Sequence, residues 1–180
     1  MSEARSYYDL AAAAGAWDIM PQNQELGQGF MSRTLVEEKA LDSYQNVLFS
    51  LLRFWGVAGC WPRKISIVSH AFKKARFVEL HLQALRWEGE VGFLGVDPEY
   101  MATDGDRERA AGVREGERIR GYGVWAGDMY GVGEGLVGKR KARNPWSIEQ
   151  EVWEEGMGTQ VHALIQWHGQ SMFDAPLPWN

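Results

Sequence analysis

Three cations, Lys73, Lys74 and Arg76, crowd the start of a segment with helical spacing, just after a strand-like run, Lys64-Ile-Ser-Ile-Val-Ser69, and His70. Positive charge at a helix N-terminus opposes the macrodipole. It suits an anion there, because the first backbone N–H groups of a helix have no partner and point outward. Arg76 adds a planar fork that can grip a carboxylate or phosphate at two points. The alternative is that these cations are solvated or paired with local carboxylates.

A second group lies upstream. Glu37 ends a strand-like stretch, and Asp42-Ser43-Tyr44-Gln45-Asn46 opens the next helix. Ser43 and Asn46 can donate to ligand oxygens, and Glu37 or Asp42 can act as a base. Asp42 and Gln45 can equally be plain caps in a capping box. Asn46 fits that role less well, since amides are poor residues inside a helix. Ligands of open parallel sheets bind beyond the carboxyl ends of the strands. If the two strands are neighbours, Glu37, Asp42, Ser43 and Asn46 meet Ser69, Lys73 and Arg76 at one rim.

Other motifs carry less. Gly133-Glu-Gly135-Leu-Val-Gly138 fits G-x-G-x-x-G, and Gly133 to Lys139 fits most of a P-loop, with Arg140 where Ser or Thr would hold magnesium. No convincing strand leads in and Pro145 follows closely, so a turn-rich connection is expected there. The four histidines lack metal-ligand spacing: His81 reads as a core or boundary residue, and His162 and His168 do not share a helical face at i, i+4. Ser69 and His70 are adjacent on an extended chain and point apart, with no nucleophile elbow around them. The tryptophans are scattered and read as core or interface.

These residues need elements to hold them. Residues 2–16 read as a helix capped by Ser2, and 18–29 as a loop. Met31 to Glu37 reads as a strand, and Asp42 to about Gly56 as a helix with an apolar stripe of Val47, Leu48, Leu51, Leu52 and Trp55. Then come a buried strand at 64–69, a helix from about 72 to 87 and a short strand at 92–96. This order implies an α/β fold with a parallel sheet and right-handed crossovers, spanning residues 1–98. Residues 99–180 read as an irregular and helical extension packed on that core. It includes a charge-rich solvated helix or appendage at 103–120, the glycine-rich stretch 121–138, a basic cluster at 139–143, a last helix at 159–168 and an extended tail at 176–180.

The 180 residues are 45% apolar and 12% aromatic, enough to build a core. A net charge of −5 argues against nucleic-acid binding, which needs a broad basic footprint. No apolar run reaches the length of a membrane span, and the first residues do not read as a signal peptide. Cys60 is the only cysteine, so no internal disulfide or cysteine metal site is expected, and the expected compartment is reducing and cytoplasmic.

Taken together, Ser2-Glu-Ala4, Glu37-x-x-Ala40-x-Asp42-Ser43-x-Gln45-Asn46, and Val68-Ser69 with Lys73-x-x-Arg76 resemble the domain-of-unknown-function family that includes the bacterial SanA, ElyC and YdcF proteins. The bacterial pattern reads roughly Ser-Glu-Ala, Glu-x-x-Ser-x-Asn-Thr-x-Glu-Asn, and Val-Thr-Ser with His-x-x-Arg. Phe72-Lys73, Arg76-Phe77, Asp128-x-Tyr130-Gly131, Lys139-Arg140, Arg143-Asn144-Pro145 and Leu177-Pro-Trp179 are more similar to the fungal branch. The resemblance covers most of the chain. It implies a Rossmann-like domain, a small anionic ligand of the nucleotide or S-adenosylmethionine type, and a pocket of Glu3, Glu37, Asp42, Ser43, Asn46, Ser69, Lys73 and Arg76. No established reaction comes with it. Lys73 stands where the bacterial pattern has histidine, so no histidine-dependent acid–base role carries over. Relatives place two strands and a glycine loop before Ser-Glu-Ala, so the sheet is expected to be incomplete at its N-terminus. The strand at 31–37 would then keep an open edge available for self-association. A truncated, non-catalytic remnant or interaction module is the alternative to ligand binding.

Overall fold

The computed structural model describes residues 2–16, 30–102 and 106–180. The chain divides into two compact units, Met1–Ala40 and Leu41–Asn180. The loop expected at 18–29 lies outside the described residues.

In the first unit, helix α1 (Glu3–Ala13) begins as its sequence requires. Ser2 Oγ accepts from Arg5 N at 3.0 Å, filling one orphan donor of the first turn, and Ser2 also donates to Glu38 at 2.7 Å. No residue of α1 is buried. The strand expected at 31–37 is not there. Phe30–Arg33 is a 3-10 turn, and 34–41 has no regular structure. A strand needs neighbours for its N–H and C=O groups, and the two strands of the described sheet pair with each other. Glu37 folds back instead, its carboxylate accepting from Lys39 N at 2.6 Å and Ala40 N at 3.2 Å. The open edge expected at 31–37 therefore has no strand to carry it.

The second unit opens with α2 (Ser43–Ala58). Asp42 Oδ1 accepts from Gln45 N at 2.9 Å, so Asp42 caps the helix as read from sequence, while Gln45 Oε1 accepts from Leu41 N at 2.8 Å, one residue before the N–H of a strict capping box. Gly59 ends the helix at φ +67°, a left-handed conformation that a Cβ would strain. The stripe Val47, Leu48, Leu51 and Leu52 is buried. Strand β1 (Lys64–Ser69) pairs in parallel with β2 (Glu90–Gly95), in register from Lys64 opposite Glu90 to Ser69 opposite Gly95. The helical crossover between them, α3 (71–84), is not uniform. It starts as a 3-10 turn (Ala71–Lys73), passes through a π segment (Arg76–His81) and ends as α-helix (Leu82–Ala84). It stops short of residue 87 because the chain turns at Arg86, φ +50°. The expected strand–helix–strand unit is thus present, but among the described residues the sheet has two strands, not three. Nor is β1 fully buried: Val68 is 68% exposed and Leu94, on β2, 61%.

After β2 come α4 (Glu99–Ala102) and a longer helical run, α5 (107–127), assembled from Arg107–Glu117, a π segment Arg118–Tyr122, and Gly123–Gly127. Two further helices follow, α6 (Glu134–Arg143) and α7 (Thr159–Ile165). The stretch 131–138, expected to be a turn-rich connection, is helical from Glu134 onward. The turn is confined to 128–133, where the Asp128 carboxylate accepts from Val132 N and Gly133 N at 2.9 Å each and so sets up the start of α6. The tail is not a free extension. Trp179 is 6% exposed and its Nε1 donates to Leu85 O at 2.7 Å. Residues beyond 98, among them Trp125, Met157, Val161, Leu164 and Phe173, are buried core residues in the same compact unit as α2 and α3.

Candidate functional site

Of the eight residues singled out in the sequence, Glu3 and Glu37 belong to the first unit, where Glu3 is exposed and Glu37 closes its own turn. The other six lie in the second. Asp42 is buried. One of its oxygens caps α2 and the other pairs with Arg140 Nε. Arg140 completes its fork by donating to Gly131 O at 2.9 Å and Tyr130 O at 3.0 Å. Arg143 donates to Leu41 O. Two cations of the basic cluster 139–143 therefore tie α6 to the start of α2. Asp42 is held on every side, as a cap and an ion-pair partner rather than a base.

Arg76 joins the two corners. Its Nη1 donates to Ser43 Oγ at 3.3 Å, so the cationic helix start reaches the N-terminus of α2. Asn46 stands one turn beyond Ser43 and is exposed. Ser69 is the last residue of β1, and its carbonyl accepts from Val96 N at 2.8 Å. Lys73 is half-buried, with Nζ 5.7 Å from the Phe72 ring centre. The main partner of Arg76 is a residue the sequence reading passed over. Its Nε lies 2.9 Å from Glu117 Oε1, with the two side chains 14% and 12% exposed. That contact is an ion pair without hydrogen-bond alignment: both atoms are buried and neither has a hydrogen-bond partner. Burial lowers the pKa of Arg76, against the pull of Glu117. Burial also raises the pKa of Glu117, against the pull of Arg76 and Lys73 and of a backbone hydrogen bond from Tyr122.

A cavity of about 470 Å³ opens beside this pair. Ala71 and Phe72, which follow β1, form one wall, and Asp97, which follows β2, forms another. Arg114, Glu117, Arg118 and Tyr122 of α5 close it. It therefore lies beyond the carboxyl ends of both parallel strands, where such sheets place ligands. Local bonds set its shape. Asp97 Oδ1 accepts from Ala71 N at 2.7 Å, and the Tyr122 hydroxyl donates to Glu79 at 3.0 Å. A Cβ on Gly95 would sit 2.6 Å from that of Ala71, so glycine lets the end of β2 approach the start of α3. A second cleft of about 450 Å³ shares Phe72, Arg76 and Glu117 with the first and runs along Val113, Gly116 and Arg120.

Both members of the Arg76–Glu117 pair stand at the edge of a π segment. Arg76 opens the one in α3, and Glu117 precedes the one in α5. The extra residue in a π turn re-aims the side chains beside it, and such turns recur at functional sites. Gly121, inside the second π segment, leaves room for Glu117, since a Cβ there would collide with the carboxylate. The wide charge content of 103–120 hid Glu117. The signal that could have found it is its spacing with Ala110, Val113 and Gly121, at i, i+3, i+7 and i+11. That places one carboxylate on the packed face of the helix, where it needs a cation.

His81 is fully buried, with Nε2 2.8 Å from Ser43 Oγ and with the rings of Phe77 and Trp125 edge-on to it. Burial depresses its pKa to about 3. Its Nδ1 has no partner. A serine nucleophile needs a basic imidazole oriented by a third group, and this pair has neither feature. Ser43 and His81 therefore form no nucleophile–base unit. Among the described residues no three His, Cys, Asp or Glu side chains form a metal-binding group, and no helix is long and apolar enough to cross a membrane. Gly133 to Lys139 opens α6 with a turn before it rather than a strand, and Arg140 is taken up by Asp42.

The chain is similar to a protein of Saccharomyces cerevisiae described as "Uncharacterized protein YOR238W". The two are 28% identical over 173 residues, covering 90% of this chain and 57% of the yeast protein. The chain therefore spans a little over half the length of that relative. No protein-family model matches the chain, and no solved structure matches it.

Proposed function

We propose that this protein binds a small phosphate- or carboxylate-bearing molecule, of the nucleotide or S-adenosylmethionine class, in the cleft beyond the carboxyl ends of β1 and β2. The observation that carries this is the position of Arg76: nearly buried, backed by Ser43, and lining a cavity at the strand ends that also contains Arg114 and Arg118. In this role Arg76 makes the main charge contact, Lys73 and Arg114 add positive potential, and Asp97 offers Oδ2 to a sugar hydroxyl while Oδ1 stays on Ala71 N. The β1–α3–β2 unit supports classing the domain as Rossmann-like, akin to the SanA, ElyC and YdcF group. Thermal unfolding with AMP, S-adenosylmethionine and a sugar phosphate tests the proposal. A ligand at 100 times its dissociation constant adds about 2.7 kcal/mol, and that gain should vanish in a folded Arg76→Gln variant. No response from the unaltered chain to any of the three would reject it.

One observation favours a second function, that of a non-catalytic interaction module. Val68 and Leu94, paired on one face of the sheet, leave apolar surface exposed there, with Val96 exposed just beyond β2. That function predicts concentration-dependent self-association in sedimentation and no ligand response.

A further inference from the structure

The carboxylate of Glu117 already sits where a ligand anion would. It is 2.9 Å from Arg76 Nε, it is nearly buried, and it forms part of the wall shared by both clefts. Yet it holds Arg76 poorly, since neither facing atom has an aligned hydrogen bond. We propose that Glu117 is a built-in competitor for the anion seat of Arg76, and that a phosphate-bearing ligand binds by displacing it, joining the two clefts into one. This rests on the anion-binding function above and adds how the site selects and opens.

A phosphate group can accept two parallel N–H bonds from the edge of a guanidinium. Glu117 makes one misaligned contact there, so the exchange gains hydrogen bonds on Arg76. The displaced carboxylate has a route out, because Glu117 stands at the junction of α-helix and π segment and lines both clefts. The exchange also sets a threshold. A neutral ligand cannot replace the charge that Arg76 loses, so the seat stays closed to it.

Isothermal titration with AMP, inorganic phosphate and adenosine tests this in the unaltered chain and in Glu117→Gln. The expected result is binding of AMP and phosphate at least tenfold tighter in Glu117→Gln, and no gain for adenosine. Equal or weaker AMP binding in the variant would overturn the competitor role while leaving anion binding intact. Absence of AMP and phosphate binding in both chains would overturn both. Should Glu117→Gln fail to fold, NMR of the unaltered chain replaces it. The Arg76 Nε–Hε and Glu117 Cδ resonances should then move together as phosphate is added, and movement of the Arg76 signal alone would overturn the displacement.

Discussion

The second unit contains two arginine–carboxylate pairs of similar burial, and they behave as opposites. In Asp42–Arg140 the side chains are 6% and 19% exposed, and every polar atom of both has a partner, including two backbone carbonyls. In Arg76–Glu117 they are 14% and 12% exposed, and the two facing atoms have none. The first pair locks α6 and the Tyr130–Gly131 turn onto the N-terminus of α2. The second leaves its two facing atoms without aligned hydrogen bonds, and it lines both clefts. Burial alone does not separate scaffold from site here. Completeness of hydrogen bonding does, because a buried charge that is fully bonded is costly to disturb and one that is not can gain by exchange.

The contrast can be broken most forcefully at Arg140. Arg140→Met leaves Asp42 buried and unpaired, and urea unfolding should show a loss of about 3–5 kcal/mol. A loss near zero would mean the locked corner is not locked. A middle-sized effect is expected from His81, which belongs to neither pair but touches Ser43 between them. Its pKa is about 3 in the folded chain against an ordinary 6.5, so in that interval the unfolded chain binds more protons. The stability it supports is complete above about pH 6.5 and is lost as pH falls toward 3, with a slope of about 1.4 kcal/mol per pH unit. Glu117, with its pKa raised, tilts stability the other way above its ordinary value. His81→Gln should flatten the His81 part of the slope measured by urea unfolding, both in the unaltered chain and in a Glu117→Gln background. The smallest effect is expected at Glu117. Glu117→Gln keeps an oxygen beside Arg76 Nε but takes away the counter-charge of the guanidinium, so urea unfolding should show a loss that stays below that of Arg140→Met. A cost equal to that of Arg140→Met would erase the distinction between the pairs.

Much of the local structure was legible because it rests on local rules. Ser2 and Asp42 cap their helices through the bonds their spacing implies, and β1 spans the β-branched run that announced it. The strand expected at 31–37 failed because strand formation depends on a neighbour, which periodicity does not report. The glycines of 131–138 misled for a related reason. Their helical state is set by packing around Trp125 and Leu136 and by the Asp128 turn, not by propensity. Of the residues singled out for a pocket, Ser43 and Arg76 do touch, while Asp42 takes the cap position that its spacing with Gln45 also allowed. Glu117, Asp97 and Arg114 were missed, since residues far apart in sequence share a cavity only through tertiary structure.

A crystal structure of the chain with AMP bound tests the central claim most directly. The phosphate oxygens should lie within hydrogen-bond distance of the Arg76 guanidinium, at the ends of β1 and β2, with the Glu117 carboxylate withdrawn. A phosphate held by Lys139 or Lys141 instead, with Arg76 still on Glu117, would contradict it.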